Sequence, residues 1–287
     1  MTFRLAGAAA SVVAVTFAVV ALSIWWRFDK DIEAASARSA QASTLIATRC
    51  GPIEVQQAGS AVPLLVVHGS GGGHDQGMAF AGALAQHGIQ VIAMSHFGYL
   101  PSALQMAHRY PERFSALILL APLAYKPPTQ ADSAPPMPAW AEATMMRVIG
   151  SDFLFWAALH VAREQVIKLV LATPPELLTA AGRQERARVN AMLDNILPVS
   201  ARTDGFRSDT AVGKHLSPAP LESIHVPTLI VSARDDRYGT YASAQYTASR
   251  ITGAKFVGFD QGGHTWVGHD DEVMAEIALL LVPVGRP

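Results

Sequence analysis

Six short runs in this chain are apolar almost throughout, and helix-patterned stretches separate them. They are Pro52–Val55, Val62–His68 (VPLLVVH), Gln90–Ser95, Phe114–Leu120, Val226–Val231 and Lys255–Phe259. A strand with one wet face alternates polar and apolar residues. One that is apolar throughout is covered on both faces, as in a parallel sheet between helices. Gln76–Gln86 reads as a helix, and so does Pro101–Tyr110, opened by a proline at the first-turn position where it is tolerated and closed by Pro111. Asp270–Val282 is a last amphipathic helix, with Val273, Ile277 and Leu280 on one face. Between the fourth and fifth runs the texture changes. Prolines crowd Pro122–Pro138, Ala139 to about Ser208 is helical and rich in Trp, Met and Leu, and Pro218 and Pro220 end the stretch. The pattern predicts a mostly parallel α/β sheet interrupted by a helical insert.

Ahead of the sheet, Leu5 to Trp26 runs without a charge between Arg4 and Arg27. As a helix this run is about 33 Å long, enough to cross a hydrocarbon core. Trp25 and Trp26 suit the interfacial belt at its end. A cleaved signal peptide has a shorter apolar region with a small-residue cleavage site close behind. The one A-x-A candidate, Ala35-Ser36-Ala37, lies beyond five charged residues, so an uncleaved anchor is the reading taken. The excess of Arg27, Lys30 and Arg38 over Arg4 points the body toward the cytoplasm. The short tail before the anchor points it outward, and the extracytoplasmic reading is adopted. The expected organisation is 1–30 anchor, 31–48 stalk, 49–125 and 218–287 sheet core, and 126–217 helical insert.

Charged residues make up only 16% of the chain, and 22 basic against 23 acidic residues leave a net charge of −1. Nothing there concentrates the basic surface that nucleic acid demands. A single cysteine, Cys50, excludes an internal disulfide.

Ligands of open α/β sheets gather at the carboxyl ends of strands. Three such ends are unusual. His68-Gly69-Ser70-Gly71-Gly72-Gly73 follows the VPLLVVH run. A dinucleotide fingerprint would need an acidic residue about 20 positions on, and none occurs between Asp75 and Glu112. No Gly-Lys-Ser/Thr makes it a phosphate loop. What remains is a tight glycine turn, or a loop whose bare N–H groups could hold a developing oxyanion. Ser232-Ala233-Arg234-Asp235-Asp236 follows Val231, where a carboxylate could orient a histidine or simply cap a turn. Gln261-Gly262-Gly263-His264-Thr265-Trp266 follows the last run, its glycines leaving the histidine free to project. His264 and His269 are five apart and no Cys, Asp or Glu completes a zinc set, so neither a metal nor a cofactor is expected.

Taken together these loops resemble the α/β-hydrolase superfamily over the body from Cys50 to Val282. The resemblance rests on the His68–Gly73 loop, the Ala233-Arg234-Asp235-Asp236 turn and Gly263-His264-Thr265-Trp266. It implies an ester or acyl hydrolase acting on a small apolar substrate. Asp236 would be the acid with Asp235 as fallback, His264 the general base, and N–H groups near Ser70 and Gly71 part of an oxyanion hole. The insert would be a cap, with Trp140, Phe153, Phe155 and Trp156 either enclosing a pocket or packing the lid.

Family chain order places a Gly-x-Ser-x-Gly elbow before the acid, and no serine here sits in that pattern. The Pro101 helix resembles the one that follows the elbow, yet it is joined almost directly to the strand ending at Ser95. A unit of about 30 residues has no sequence to occupy. Ser102 and Ser95 are weak substitutes as nucleophile. Ser102 lacks the strained turn and Ser95 merely ends a strand, while Ser70 belongs to the oxyanion loop and Cys50 precedes the first strand. The expectation is a hydrolase-family protein, impaired or inactive. Its alternatives are an active enzyme using Ser102 or Ser95, or a membrane-anchored protein that binds a ligand without turning it over. Either Phe114–Leu120 slides into the vacated place in the sheet, or an exposed edge and cavity remain.

Overall fold

The structure, a computed structural model, describes residues 2–49, 51–95, 102–125, 127, 138–213 and 216–281. Cys50, the join 96–101, the side chain of Ser102 and most of the proline-rich stretch lie outside the described residues. Residues 1–41 and 42–287 form separate compact units.

The first unit belongs to one helix, α1 (Thr2–Ala42), which runs unbroken through the segment read as anchor and into the segment read as stalk. Its stretch Ser11–Ala40 is long and apolar enough to cross a membrane, reaching a mean hydropathy of 1.8. Valines 12, 13, 15, 19 and 20 are all exposed, so this surface is apolar without being packed.

In the second unit the elements run β1 (Thr44–Thr48), β2 (Gly51–Ala58), β3 (Val62–Val67), α2 (His74–Ala81), β4 (Ile89–Met94), α3 (Ser102–Arg109) and β5 (Leu117–Leu120). The insert follows as α4 (Ala139–Ile149), α5 (Asp152–Val161), α6 (Arg163–Val170), α7 (Pro175–Ala180), α8 (Arg183–Asp194) and α9 (Thr203–Gly213). The chain closes with β6 (Thr228–Ala233), α10 (Thr240–Arg250), β7 (Lys255–Phe259) and α11 (Asp270–Leu281). One correction concerns residues 44–48, expected in the stalk: they form β1 and pair antiparallel with β2.

Strands divide between two sheets. The first has order β1-β2-β4-β3 and is mixed, with β2 antiparallel to β4 and β3 parallel to it. The second has order β5-β6-β7 and is parallel throughout. Among the described residues β3 pairs only with β4, and β5 only with β6. Of the two outcomes left open by the sequence, β5 does not slide across to β3. A cavity of about 650 Å³ lies there instead, lined by every residue from Val62 to Val67 and from Leu117 to Leu120. The VPLLVVH run, read as doubly buried, is therefore an edge strand, with Leu65 40% exposed. Pro63 within it has no N–H to give, which an edge strand tolerates and an inner one does not.

Two apolar layers hold the sheets. On one side Leu229, Val231 and Ala233 of β6 pack with Ile89 and Val91 of β4 and with Val273 and Ile277 of α11. Residues of both sheets thus share one core. On the other side Ile230 meets Leu117, Leu119, Leu104 and Ala244. Strand β6 is buried along its whole length, as its apolar run requires.

Hydrogen exchange reads this division directly. Amides of β6, paired on both sides, are expected to exchange slowest, and the cavity-facing amides of β3 and β5 much faster. Equal protection of β3, β5 and β6 would contradict the split sheet.

Candidate active site

Asp236 and His264 come together at the carboxyl ends of β6 and β7. The turn after β6 buries Asp236, 4% exposed, and points its carboxylate at the loop after β7. His264 Nδ1 donates to Asp236 Oδ2 at 2.9 Å. The same oxygen accepts the Thr240 hydroxyl, and Oδ1 accepts the Tyr238 N–H at 2.9 Å. Thr240 Oγ1 also lies 2.9 Å from Ser232 Oγ. Because Thr240 spends its proton on Asp236, Ser232 is the donor in that contact. The carboxylate is thus held by three donors from its own turn, helix and partner loop, which fixes its orientation before any ligand binds.

Asp235, one residue earlier, does something else. Its carboxylate accepts the N–H of Gly263 at 2.7 Å and of Gly262 at 3.2 Å. Both glycines have positive φ, 143° and 62°. At Gly263 a Cβ would also stand 2.7 Å from Thr173 Cα. This is the requirement the double glycine meets: the loop backbone turns left-handed beneath the histidine and passes close to the insert. The two adjacent aspartates divide the work, one on the ring and one on the backbone that carries it.

Burial opposes a charge on the His264 ring, but the Asp236 carboxylate outweighs it by charge and by hydrogen bond, and the pKa lies above the ordinary 6.5. Burial likewise opposes the Asp236 charge. His264, Thr240 and the Tyr238 N–H prevail, and its pKa lies below 3.8. With Nδ1–H held by the carboxylate, a neutral ring leaves Nε2 as the free base. His264 lines the cavity between β3 and β5. Tyr238 meets the imidazole edge-on, ring centroids 5.0 Å apart, and its hydroxyl donates to Val170 C=O at 2.9 Å.

Ser70 and Gly71 line the same cavity, within a turn closed by Gly72 N–H on Gly69 C=O at 3.2 Å. Gly71 has φ 68°, a conformation glycine adopts freely. Ser95 is placed elsewhere. Its hydroxyl donates to Glu54 Oε2 at 3.2 Å and accepts the His74 N–H at 3.1 Å, tying the end of β4 to β2 and α2. For Ser102 only the backbone is described, as the first residue of α3. His269 stacks on Phe259 with ring centroids 3.9 Å apart. Among the described residues no three His, Cys, Asp or Glu side chains are grouped to hold a metal ion.

Of the two roles left open for the insert aromatics, enclosing the pocket is not theirs: Trp140, Phe153, Phe155 and Trp156 do not line the cavity. Phe155 and Trp156 are buried within the insert, Trp140 is 74% exposed, and the insert contributes Met145, Ile149, Val170 and Phe206 instead. Sequence reasoning also missed Thr240 and Tyr238, whose spacing from Asp236 becomes informative only once the turn into α10 is known.

A raised pKa on His264 means its ion pair stabilises the fold below about pH 6.5 and that this contribution is lost as pH rises through the raised value. The lowered pKa of Asp236 means its contribution holds above about pH 4 and is lost on acidification. Asp236→Asn is expected to move the His264 titration, followed by ring-proton resonances, down toward or below the ordinary value. Asp236→Ala is expected to cost about 3 kcal/mol in denaturant unfolding. An unmoved titration in D236N would contradict the pairing.

A serine-hydrolase family profile matches residues 153–272, which include the Asp236 turn and the His264 loop. Comparison with curated proteins found no match. Among solved structures, an α/β-hydrolase fold protein from Nakamurella multipartita is 23% identical, with 84% of this chain and 99% of that one covered and a TM-score of 0.60. An enol-lactonase from Burkholderia xenovorans is 14% identical over 83% and 99% of the two chains, TM-score 0.56. A serine hydrolase from Cycloclasticus zankles is 18% identical over 83% and 96%, TM-score 0.55. The chain shares the α/β-hydrolase fold of these structures, and residues 153–272 match the serine-hydrolase profile.

Proposed function

We propose that the chain is an ester-binding or acyl-binding member of the superfamily that has lost the acyl-enzyme route, held at a membrane by residues 5–26. The observation that carries this reading is the cavity at the rim of the His264–Asp236 pair. It occupies the place between β3 and β5 where the elbow strand of a complete enzyme would pair. The base and the carboxylate that orients it are present, and no serine stands in the elbow pattern. Removing the serine from such a unit costs on the order of a million-fold in turnover. The loop at Ser70 and Gly71 would still offer N–H groups to a carbonyl oxygen, and the insert acts as the cap. The walls are largely apolar, and they select a small apolar ester or related acyl compound. No nucleic acid, metal or cofactor enters this reading.

Isothermal titration of the full chain in detergent with a non-hydrolysable apolar ketone tests the pocket. Saturable binding is expected, abolished by Ala116→Trp, which fills the cavity between the strands. Hydrolysis of an activated aryl ester should show no burst and stay within about 10⁴-fold of the uncatalysed rate. A burst equal in amplitude to the protein concentration would overturn the proposal. On the membrane, the body is assigned to the extracytoplasmic side. Protease added to right-side-out vesicles should digest it, and full protection would reverse the assignment.

A further inference from the structure

The loop that carries His264 is gripped from a second direction, by charges on the insert. On α8 the Glu185 carboxylate chelates the Arg188 guanidinium at 2.5 and 3.0 Å, and both side chains are only about 15% exposed. Each then reaches the loop backbone. Arg188 Nη2 donates to Thr265 C=O at 2.7 Å, and Glu185 Oε1 accepts the Gly268 N–H at 3.1 Å. Arg188 Nη1 lies 3.4 Å from Asp270 Oδ1, the oxygen that also accepts Trp266 Nε1–H at 3.0 Å, and the guanidinium stands 5.7 Å over the Trp266 ring. Trp266 itself has φ 42°, a conformation bulky residues adopt only where the surroundings hold them there.

An i, i+3 Glu/Arg pair on a helix is ordinarily a solvated surface pair contributing a few tenths of a kcal/mol. Here the pair is largely desolvated, and apart from an Arg188 Nη1 contact to Met192 Sδ at 3.9 Å within α8 its other polar contacts go to one short segment, residues 265–270. That segment continues directly from His264. Asp235 fixes the loop ahead of the histidine through Gly262 and Gly263, and Arg188 with Glu185 fixes it behind. A buried charged pair breaks even only when its remaining donors and acceptors are satisfied, and the loop backbone satisfies them.

We propose that Arg188, oriented by Glu185, is a positioning residue that holds the His264 ring against Asp236, so that the insert and the base move as one piece. The proposal rests on His264–Asp236 being the working pair, but it does not require turnover. Displacement of α8 would release the loop and lengthen the ring–carboxylate contact, which makes the insert a control on the base as well as a wall of the cavity.

The test is the His264 titration in the full chain in detergent, with ring-carbon-labelled histidine and the resonance assigned by its loss in His264→Gln. Electrostatics and positioning give opposite signs. Removing the Arg188 charge in an unmoved loop raises the His264 pKa, because a nearby cation no longer disfavours the imidazolium. Releasing the loop lowers it, because the carboxylate recedes. Arg188→Met is expected to lower it by at least about half a pKa unit. Arg188→Lys, which keeps the charge and loses the fork, should lower it as well. Glu185→Gln retains an acceptor for Gly268 but frees the guanidinium. It should act in the same direction, but loss of the carboxylate charge lowers the pKa too, so Arg188→Lys is the variant that keeps the measurement readable if R188M does not fold. Arg163→Met, which breaks contacts to Asn190 and Asp194 inside the insert, should leave the titration in place. An unchanged or raised pKa in the Arg188 and Glu185 variants would overturn the proposal. A lowered pKa in a chain that binds no apolar ketone would uphold it while removing only the ligand-binding reading.

Discussion

Every strand inside a parallel sheet offers N–H and C=O groups along both edges, and burial is tolerable only when those groups are paired. In this chain β3 and β5 each satisfy one edge and leave the other on a common cavity. What holds the halves in one body is the layer of side chains beneath them. There α11 and the segment from α2 to β4 pack against strands of both sheets. The gap reaches this layer, since Ala81, Leu84, Trp266 and Ile277 line the cavity, yet the carboxyl ends of β6 and β7 keep the geometry that brings Asp236 to His264. The Asp236–His264 pair itself is carried by β6 and β7, which remain paired along their length.

That arrangement separates two properties a complete hydrolase combines. In the proposed reading the buried carboxylate, the histidine it orients and the glycine turn at Ser70 and Gly71 serve to stabilise charge and transfer a proton. They need fixed backbone, which Asp235 supplies from one side and the insert from the other. The covalent step needs a hydroxyl on a strained turn at a strand end, and among the described residues a cavity, with no strand, lies between β3 and β5. A small apolar acyl compound in the cavity would meet the proton-transfer machinery without meeting a nucleophile in the elbow position.

Much of this was legible in the residues. Strand runs, the final helix and the Asp236 and His264 loops could be read because each is set by local pattern, continuous apolarity or glycine spacing. The shortage of sequence between Ser95 and Ser102 predicts a strand fewer than the family pattern, and among the described residues β3 and β5 do not pair. Its consequence did not follow, because whether β5 closes the gap depends on the packing of α3 and α10 against β5 and β6, which no local pattern records. Pro63 was a signal that went unread: a proline in a supposed inner strand argues for an edge. Thr44–Thr48 falls in a mixed polar, alanine-rich stretch, Asp29–Thr48, that reads as a short helix or stalk, and its pairing comes from β2 rather than from its own pattern. Glu185 and Arg188 carry no signal in the sequence, since their burial comes from a loop nearly eighty residues away.

The central claim is that the proton-transfer pair survives without an acyl-accepting nucleophile. Intact-mass measurement of the full chain after exposure to a serine-directed fluorophosphonate at neutral pH tests it most directly. The account predicts no adduct, with His264 still titrating above the ordinary histidine value in the same sample. A single stoichiometric adduct on Ser102, Ser95 or Ser70 that disappears in His264→Ala would contradict it.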